Sequence, residues 1–108
     1  MDSKYSYRFT EQAIHDFEEI LDYLYVNLEN PIAAKNLQKK IFERIDLLRV
    51  FPDSGSSVNN EFLSDKTVRK VVVNNYIIYF KVHHDDEMIT IVRIIYGKRN
   101  LDEILKLM

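Results

Sequence analysis

The sequence of 108 residues contains no cysteine, and it has only two glycines and two prolines. Without cysteine the chain has no disulfide scaffold, no zinc–thiolate site and no thiol nucleophile. So few glycines and prolines exclude a collagen-like or low-complexity chain. Hydrophobic residues make up 46% and charged residues 30%, which is typical of a folded domain and not of a disordered segment. We therefore expect a single domain over residues 1–108.

Export and membrane signals are also missing from the sequence. Residues 1–9 are polar and lack the apolar core of a secretory signal. No apolar run approaches the ~18 residues that a membrane-spanning helix needs. We expect a cytoplasmic protein with no membrane partner.

The charge is small overall but unevenly distributed. The formal net charge is −2; residues 1–65 carry 7 basic and 12 acidic side chains, whereas residues 66–108 carry 8 basic and 5 acidic ones. This split suggests that the C-terminal part faces a polyanion or an acidic partner. The whole chain lacks the high isoelectric point of a dedicated nucleic-acid-binding protein.

Two amphipathic helices are predicted in the first half of the chain. A short strand over 4–9 precedes Thr10, which is a typical helix N-cap. Apolar residues then recur at three- and four-residue steps from Glu11 to about Glu29. Asn30 and Pro31 end this helix and begin a second one, which extends to Phe51. Two long helices with almost no connection predict an antiparallel hairpin.

Strand patterns dominate the second half of the chain. A loop rich in serine and asparagine comes first; strands follow at 67–73, 76–82 and 88–96, and a short helix at 100–108. Asn74 and Asn75 form the turn of a hairpin. The predicted fold is α+β: a two-helix antiparallel hairpin packed on one face of a small antiparallel sheet, in the order β-α-α-β-β-β with a short C-terminal helical tail. Strict alternation predicts that Tyr79, Lys81 and Arg93 face solvent on the other side of the sheet.

An ordered set of short motifs extends over about residues 5–102. The motifs are Phe9-Thr10-Glu11-Gln12-Ala13, Asp16-Phe17-Glu18-Glu19-Ile20, Asn30-Pro31-Ile32-Ala33-Ala34, Phe51-Pro52-Asp53-Ser54-Gly55, Val68-Arg69, Asn75-Tyr76-Ile77-Ile78-Tyr79 and Arg93-Ile94-Ile95-Tyr96-Gly97-Lys98-Arg99. In this order and at these spacings the sequence resembles the RelE/ParE superfamily of toxins from bacterial type II toxin–antitoxin pairs. The resemblance implies an antitoxin protein as partner and no cofactor.

The resemblance implies two possible activities. RelE-like members cut mRNA on the ribosome, and this chemistry requires cationic side chains around the reacting phosphate and a group that transfers protons. Lys70 and Arg99 match catalytic positions of these members. However, Ile77 stands where they carry an arginine, and no tyrosine or histidine follows Arg99. ParE-like members poison DNA gyrase and need no nuclease site, so the sequence slightly favours them and leaves open whether the chain is an enzyme.

The remaining basic residues of the second half are candidates for binding the target. They are Arg69, Lys81, Arg93 and Lys98. Either toxin activity predicts that Arg69 or Lys70 converges with Arg93 and Arg99 on one face. An inactive family member that only binds a partner is a further alternative, and it predicts an apolar sheet face without a cationic cluster. We expect no metal site, because neighbouring residues of the turn His83–Glu87 point in opposite directions.

Overall fold

The computed structural model describes residues 4–108. Strand β1 (Ser6–Phe9) leads directly into helix α1 (Glu11–Asp22). Thr10 begins this helix because its hydroxyl accepts a hydrogen bond of 3.1 Å from the backbone N–H of Ala13. Glu11 lies in the first turn, where the helix dipole favours a negative charge.

The helical hairpin is present, but its first arm does not remain α-helical to Glu29. After α1 the chain widens into a π-helical segment, Tyr23–Asn27. Glu29 then adopts a left-handed backbone conformation with φ of 47°, which reverses the chain. Asn30 caps helix α2 (Pro31–Val50) by accepting a hydrogen bond from Ala33, and Pro31 occupies the first turn.

The sheet has five strands in the order β1-β5-β4-β3-β2. The new strands are β2 (Ser56–Ser57), β3 (Arg69–Val73), β4 (Tyr76–His83) and β5 (Met88–Tyr96). Neighbours among β2 to β5 pair antiparallel, whereas β1 pairs with β5 in parallel. β2 lies within the segment that the sequence predicts as a loop. The short helix α3 (Leu101–Leu105) follows the sheet.

Strand β5 contains a β-bulge that breaks the strict alternation expected from the sequence. Tyr79 pairs with Arg93, but the next residue, Phe80, pairs with Ile91, so Val92 is the extra residue. As a result Ile91 and Ile94 both pack into the core beneath the helical hairpin. Simple alternation places these two residues on opposite faces, and this expectation is wrong at the bulge.

Both faces of the sheet are covered around β4. The hairpin covers one face and forms the main core, whose buried residues are Ala13, Phe17, Leu37, Ile41, Ile45, Leu48, Val71, Val73, Ile78, Phe80, Ile89, Ile91 and Ile94. Helix α3 and Leu63 cover the other face, which we call the α3 face. Tyr79 lies there with only 1% of its surface exposed, so its expected solvent exposure is wrong. The tail supplies apolar side chains that remove this face from water.

No helix among residues 4–108 is long and apolar enough to cross a membrane.

Candidate functional site: a groove beside Arg99

A groove of about 630 Å³ lies between the first helical arm and the ends of β4 and β5. Its lining residues are Asp16, Glu19, Ile20, Tyr23, Leu24, Leu28, Tyr76, Ile94, Tyr96 and Arg99. Apolar and aromatic side chains predominate, and Arg99 is the basic residue among them. Concave, mostly apolar surfaces with a few polar groups are typical of binding sites.

One wall of the groove is formed where β5 extends beyond its neighbour β1. The parallel pairing ends at Ile91, so residues 92–96 have no strand partner on that side within the described part of the chain. Two side chains satisfy the exposed backbone groups there. The hydroxyl of Thr10 donates to the carbonyl of Val92 at 2.9 Å, and the carboxylate of Asp16 accepts from the backbone N–H of Ile94 at 3.1 Å. These contacts prevent simple strand addition at two points of the edge.

Asp16 also holds Arg93 in a bidentate ion pair. The guanidinium nitrogens of Arg93 lie 2.7 and 3.0 Å from the two carboxylate oxygens, and the side chains are only 13% and 5% exposed. Gln12 donates a further hydrogen bond of 3.1 Å to the carboxylate. The target-binding candidate Arg93 is therefore engaged inside the protein and connects β5 to α1.

Three tyrosines lie around the groove. The rings of Tyr76 and Tyr96 have centroids 5.6 Å apart. Burial raises the pKa of Tyr76, and the proximity of Tyr96 and Tyr23 raises it further. Tyr76 therefore remains neutral at physiological pH and can donate a hydrogen bond to a ligand in the groove.

The other predicted site residues do not join Arg99 at the groove. Arg69 donates to the carbonyls of Asp53 and Gly55, on the loop that precedes β2. Lys70 pairs with Tyr79 across the strands and so belongs to the α3 face, whereas its neighbour Arg69 belongs to the hairpin face. The expected single cationic cluster is therefore not formed by these two residues.

Lys81 and Lys98 are placed apart from each other. The ammonium of Lys81 lies 2.6 Å from the carboxylate of Asp65. Lys98 is exposed in the turn that follows β5, next to Arg99. Of the six predicted residues, Arg99 lines the groove directly, and Arg93 contributes through its partner Asp16. Among residues 4–108 no group of three or more His, Asp or Glu residues is arranged to hold a metal ion.

The residues selected from the sequence as site candidates do not include Asp16. The position of Asp16 in the sequence of α1 already indicates that its side chain is buried. Asp16 follows the buried Ala13 by three residues and precedes Ile20 by four, so it falls within the apolar stripe of α1. A carboxylate in such a stripe needs a partner, and Arg93 in an otherwise apolar strand is the complementary signal.

The ion pair between Asp65 and Lys81 predicts a loss of stability in acid. The hydrogen bond from Lys81, followed by two from Thr67, holds the pKa of Asp65 well below its ordinary value of 3.8. Asp65 is protonated less readily in the folded protein than in the unfolded chain. The ion pair therefore stabilises the fold fully at pH values above the pKa that Asp65 has in the unfolded chain. This stabilisation is lost as the pH falls toward the folded pKa.

We therefore expect Asp65→Asn to lower the unfolding free energy at pH 7 and to lower it progressively less below pH ~4. Urea unfolding of both proteins at several pH values measures this difference. Asp86→Asn, in an exposed turn, is the matched control and is expected to leave the curve unchanged. The prediction would be contradicted if the unfolding free energies of Asp65→Asn and the parent protein differed by the same amount from pH 7 to pH 2.5.

A helical hairpin on a mostly antiparallel sheet, with a groove beside the edge of its last strand, defines the class of the protein. Solved structures from ParDE and RelBE toxin–antitoxin systems share the helical hairpin and the sheet. The family model described as "ParE toxin of type II toxin-antitoxin system, parDE" matches residues 7–101. The chain belongs to the ParE toxin family.

Several solved structures share this fold. The chromosomal ParDE toxin–antitoxin system from P. aeruginosa has a chain that is 25% identical, with a TM-score of 0.68 over 88% of this chain and 98% of that one. A chain of the RelBE2 toxin–antitoxin complex from Mycobacterium tuberculosis is 15% identical, with a TM-score of 0.60 over 87% and 92%. The isolated RelE toxin from E. coli is 14% identical, with a TM-score of 0.54 over 95% and 97%. No curated protein sequence matches the chain.

Proposed function

We propose that this ParE-family toxin inhibits growth as a gyrase poison and that a cognate antitoxin neutralises it in the cytoplasm. The apolar character of the α3 face supports this choice over mRNA cleavage, and the match to the ParE toxin family supports a toxin over a protein that only binds its partner. Ile77, Tyr79 and Ile95 form the floor of the α3 face, and Ile104 and Leu105 of α3 pack against them. A RelE-like ribonuclease would need a group of cations on this part of the sheet, whereas only Lys70 of the two predicted catalytic cations belongs to this face.

RNA cleavage requires cations near the reacting phosphate and a side chain that transfers protons. Charge on the reacting phosphate is stabilised by nearby cations, and the loss of one such group costs ~10²–10³ in rate. Ile77 occupies the position of the missing arginine, and it is buried beneath the tail. Residues 101–108 offer no tyrosine or histidine for proton transfer. A gyrase poison requires none of these groups.

Ribosome-dependent mRNA cleavage remains the second candidate, and two residues favour it. Lys70 and Arg99 match the cationic positions of RelE-like toxins, and neither forms an ion pair among the described residues. They would act with a reduced set of catalytic groups. A family member without toxicity, which only binds its partner, is the third alternative.

Induction of the protein in bacterial cells without its antitoxin separates these alternatives. We expect gyrase–DNA cleavage complexes and reduced supercoiling, together with intact mRNA. Codon-phased cuts in mRNA with normal supercoiling would overturn the gyrase assignment. In that case Arg99→Ala is expected to reduce growth inhibition, because it removes a stabilising cation. Normal growth with neither effect would indicate a binding module.

The groove beside Arg99 is the site that we propose for the antitoxin. Antitoxin helices and strands can dock on a partner either in an apolar groove or at a sheet edge. Thr10 and Asp16 cap the edge of β5, which makes strand addition there less favourable. An amphipathic helix that places apolar side chains on Leu24 and Leu28 and an acidic side chain near Arg99 fits the groove better.

A further inference from the structure

Two arginines from different elements contact the same short loop, Asp53–Gly55. Arg44 of α2 donates from Nη2 to the hydroxyl of Ser54 at 3.4 Å. Arg69 of β3 donates from Nη2 to the carbonyl of Asp53 at 3.4 Å and to the carbonyl of Gly55. The fold therefore brings two guanidinium groups to one three-residue segment, on the hairpin side of the sheet and away from the groove.

Among residues 4–108 neither guanidinium has an acidic partner. Within residues 4–108 no carboxylate lies within 4 Å of Arg44 or Arg69, although six other cationic or histidine side chains form such pairs. Asp53, the nearest acid in sequence, directs its carboxylate to His84 at 3.2 Å. The positive charges of both arginines therefore lie at one loop without a neighbouring negative charge. Their mutual repulsion is unfavourable unless an anion binds between them.

Each arginine also leaves one buried nitrogen without a hydrogen-bond acceptor. These atoms are Nη1 of Arg44 and Nε of Arg69, and both are shielded from solvent. Buried donors are nearly always satisfied in folded proteins, and an unsatisfied one commonly marks a bound water or ion. Because their charge is partly desolvated, these guanidiniums attract an anion more strongly than fully hydrated side chains do.

The loop itself is held in place. A Cβ atom added at Gly55 would lie 2.5 Å from the ring of Phe80 and 2.9 Å from the carbonyl of Lys70, so only glycine fits there. The following strand β2 pairs with β3. The hydroxyl of Ser54 therefore has a fixed position beside Arg44 and remains exposed. A rigid loop with one hydroxyl and two guanidiniums is suited to a tetrahedral oxyanion.

We propose that Arg44, Arg69 and Ser54 form a binding site for a phosphate group. The guanidiniums supply charge and N–H donors, and the serine hydroxyl supplies a further donor. The ligand is either free inorganic phosphate or a phosphate of the DNA backbone. In both cases the site contacts no base and has no sequence specificity.

The test is a melting experiment with inorganic phosphate and sodium chloride at matched ionic strength. For the parent protein we expect phosphate at ten times its dissociation constant to raise the melting temperature by about 5 °C. Arg44→Gln is expected to abolish this rise. Phosphate also stabilises proteins by exclusion from their surface, and such a general effect would be the same in Arg44→Gln.

Lys40→Gln, an exposed lysine on the same helix, is the matched control and is expected to keep the full phosphate response. Isothermal titration calorimetry with inorganic phosphate gives the direct binding constant. A labelled DNA duplex, followed by fluorescence anisotropy, tests the second source. Binding of the duplex that falls at least tenfold in Arg44→Gln but not in Lys40→Gln would assign the site to DNA.

Three outcomes would overturn the proposal. The first is an equal melting response to phosphate in the parent protein and Arg44→Gln. The second is an equal response to acetate, which would show that any anion suffices. The third is the absence of calorimetric binding together with duplex binding that does not depend on Arg44. Gyrase poisoning is measured separately, and its failure would leave the phosphate measurements unaffected.

Discussion

Replacement of Asp16 by alanine is expected to lower the unfolding free energy by about 3–5 kcal/mol. The change removes both acceptors of the Arg93 guanidinium and leaves a buried, unpaired positive charge. It also removes the acceptor of the backbone N–H of Ile94 on the open edge of β5. Urea unfolding at neutral pH measures the loss.

Two variants test whether the cost comes from the buried charge. Glu19→Ala breaks an exposed pair with His15 on the same helix, and it is expected to cost less than about 1 kcal/mol. Asp16→Ala combined with Arg93→Met is expected to recover part of the loss, because no unpaired charge remains. A cost below about 1 kcal/mol for Asp16→Ala alone would contradict the structural role of this pair.

The second large effect concerns the groove and rests on the proposed antitoxin site. Leu28→Arg is expected to weaken antitoxin binding by about 2–4 kcal/mol, or roughly 30- to 1000-fold in dissociation constant. Leu28 lines the groove and is 53% exposed, so the substitution introduces a charge into an apolar contact without burying it in the free protein. Calorimetry with the purified cognate antitoxin gives the affinity.

Val26→Arg is the matched control because Val26 lies two residues away, is 71% exposed and does not line the groove. It is expected to change the affinity less than threefold. In cells, Leu28→Arg should remain toxic when the antitoxin is co-expressed, whereas Val26→Arg should be neutralised. Equal loss of affinity in both variants would place the antitoxin on the tip of the hairpin and not in the groove.

Local signals made much of the fold predictable from the sequence. Thr10 begins α1, Asn30 and Pro31 begin α2, and the hairpin between β3 and β4 turns at Asn74, where φ is 53°. Each of these signals acts within a few residues of the chain, so a pattern in the sequence is sufficient to find it. The predicted α+β architecture is confirmed. The predicted relationship to RelE/ParE toxins is also confirmed, by the family match over residues 7–101.

Features that depend on distant residues were not predictable in this way. The parallel pairing of β1 with β5 and the bulge at Val92 are set by contacts between the two ends of the domain. The burial of Tyr79 depends on where α3 packs, which its few apolar residues do not specify. For the site, the resemblance to RelE-like toxins selected Arg99, which lines the groove, but the pairing of Asp16 with Arg93 appears only when α1 lies over β5.

The parallel pairing of β1 with β5 has a consequence for the order of events during synthesis. Hydrogen-bonded partners on these strands, such as Arg8 and Thr90, are 82 residues apart in the chain. At ~5–20 residues per second the ribosome needs ~4–16 s to make the intervening segment. During this interval β1 has no strand to pair with, and the carboxylate of Asp16 has no Arg93. The nascent chain therefore presents a helical hairpin without its groove, and the groove becomes complete only after the last strand is made.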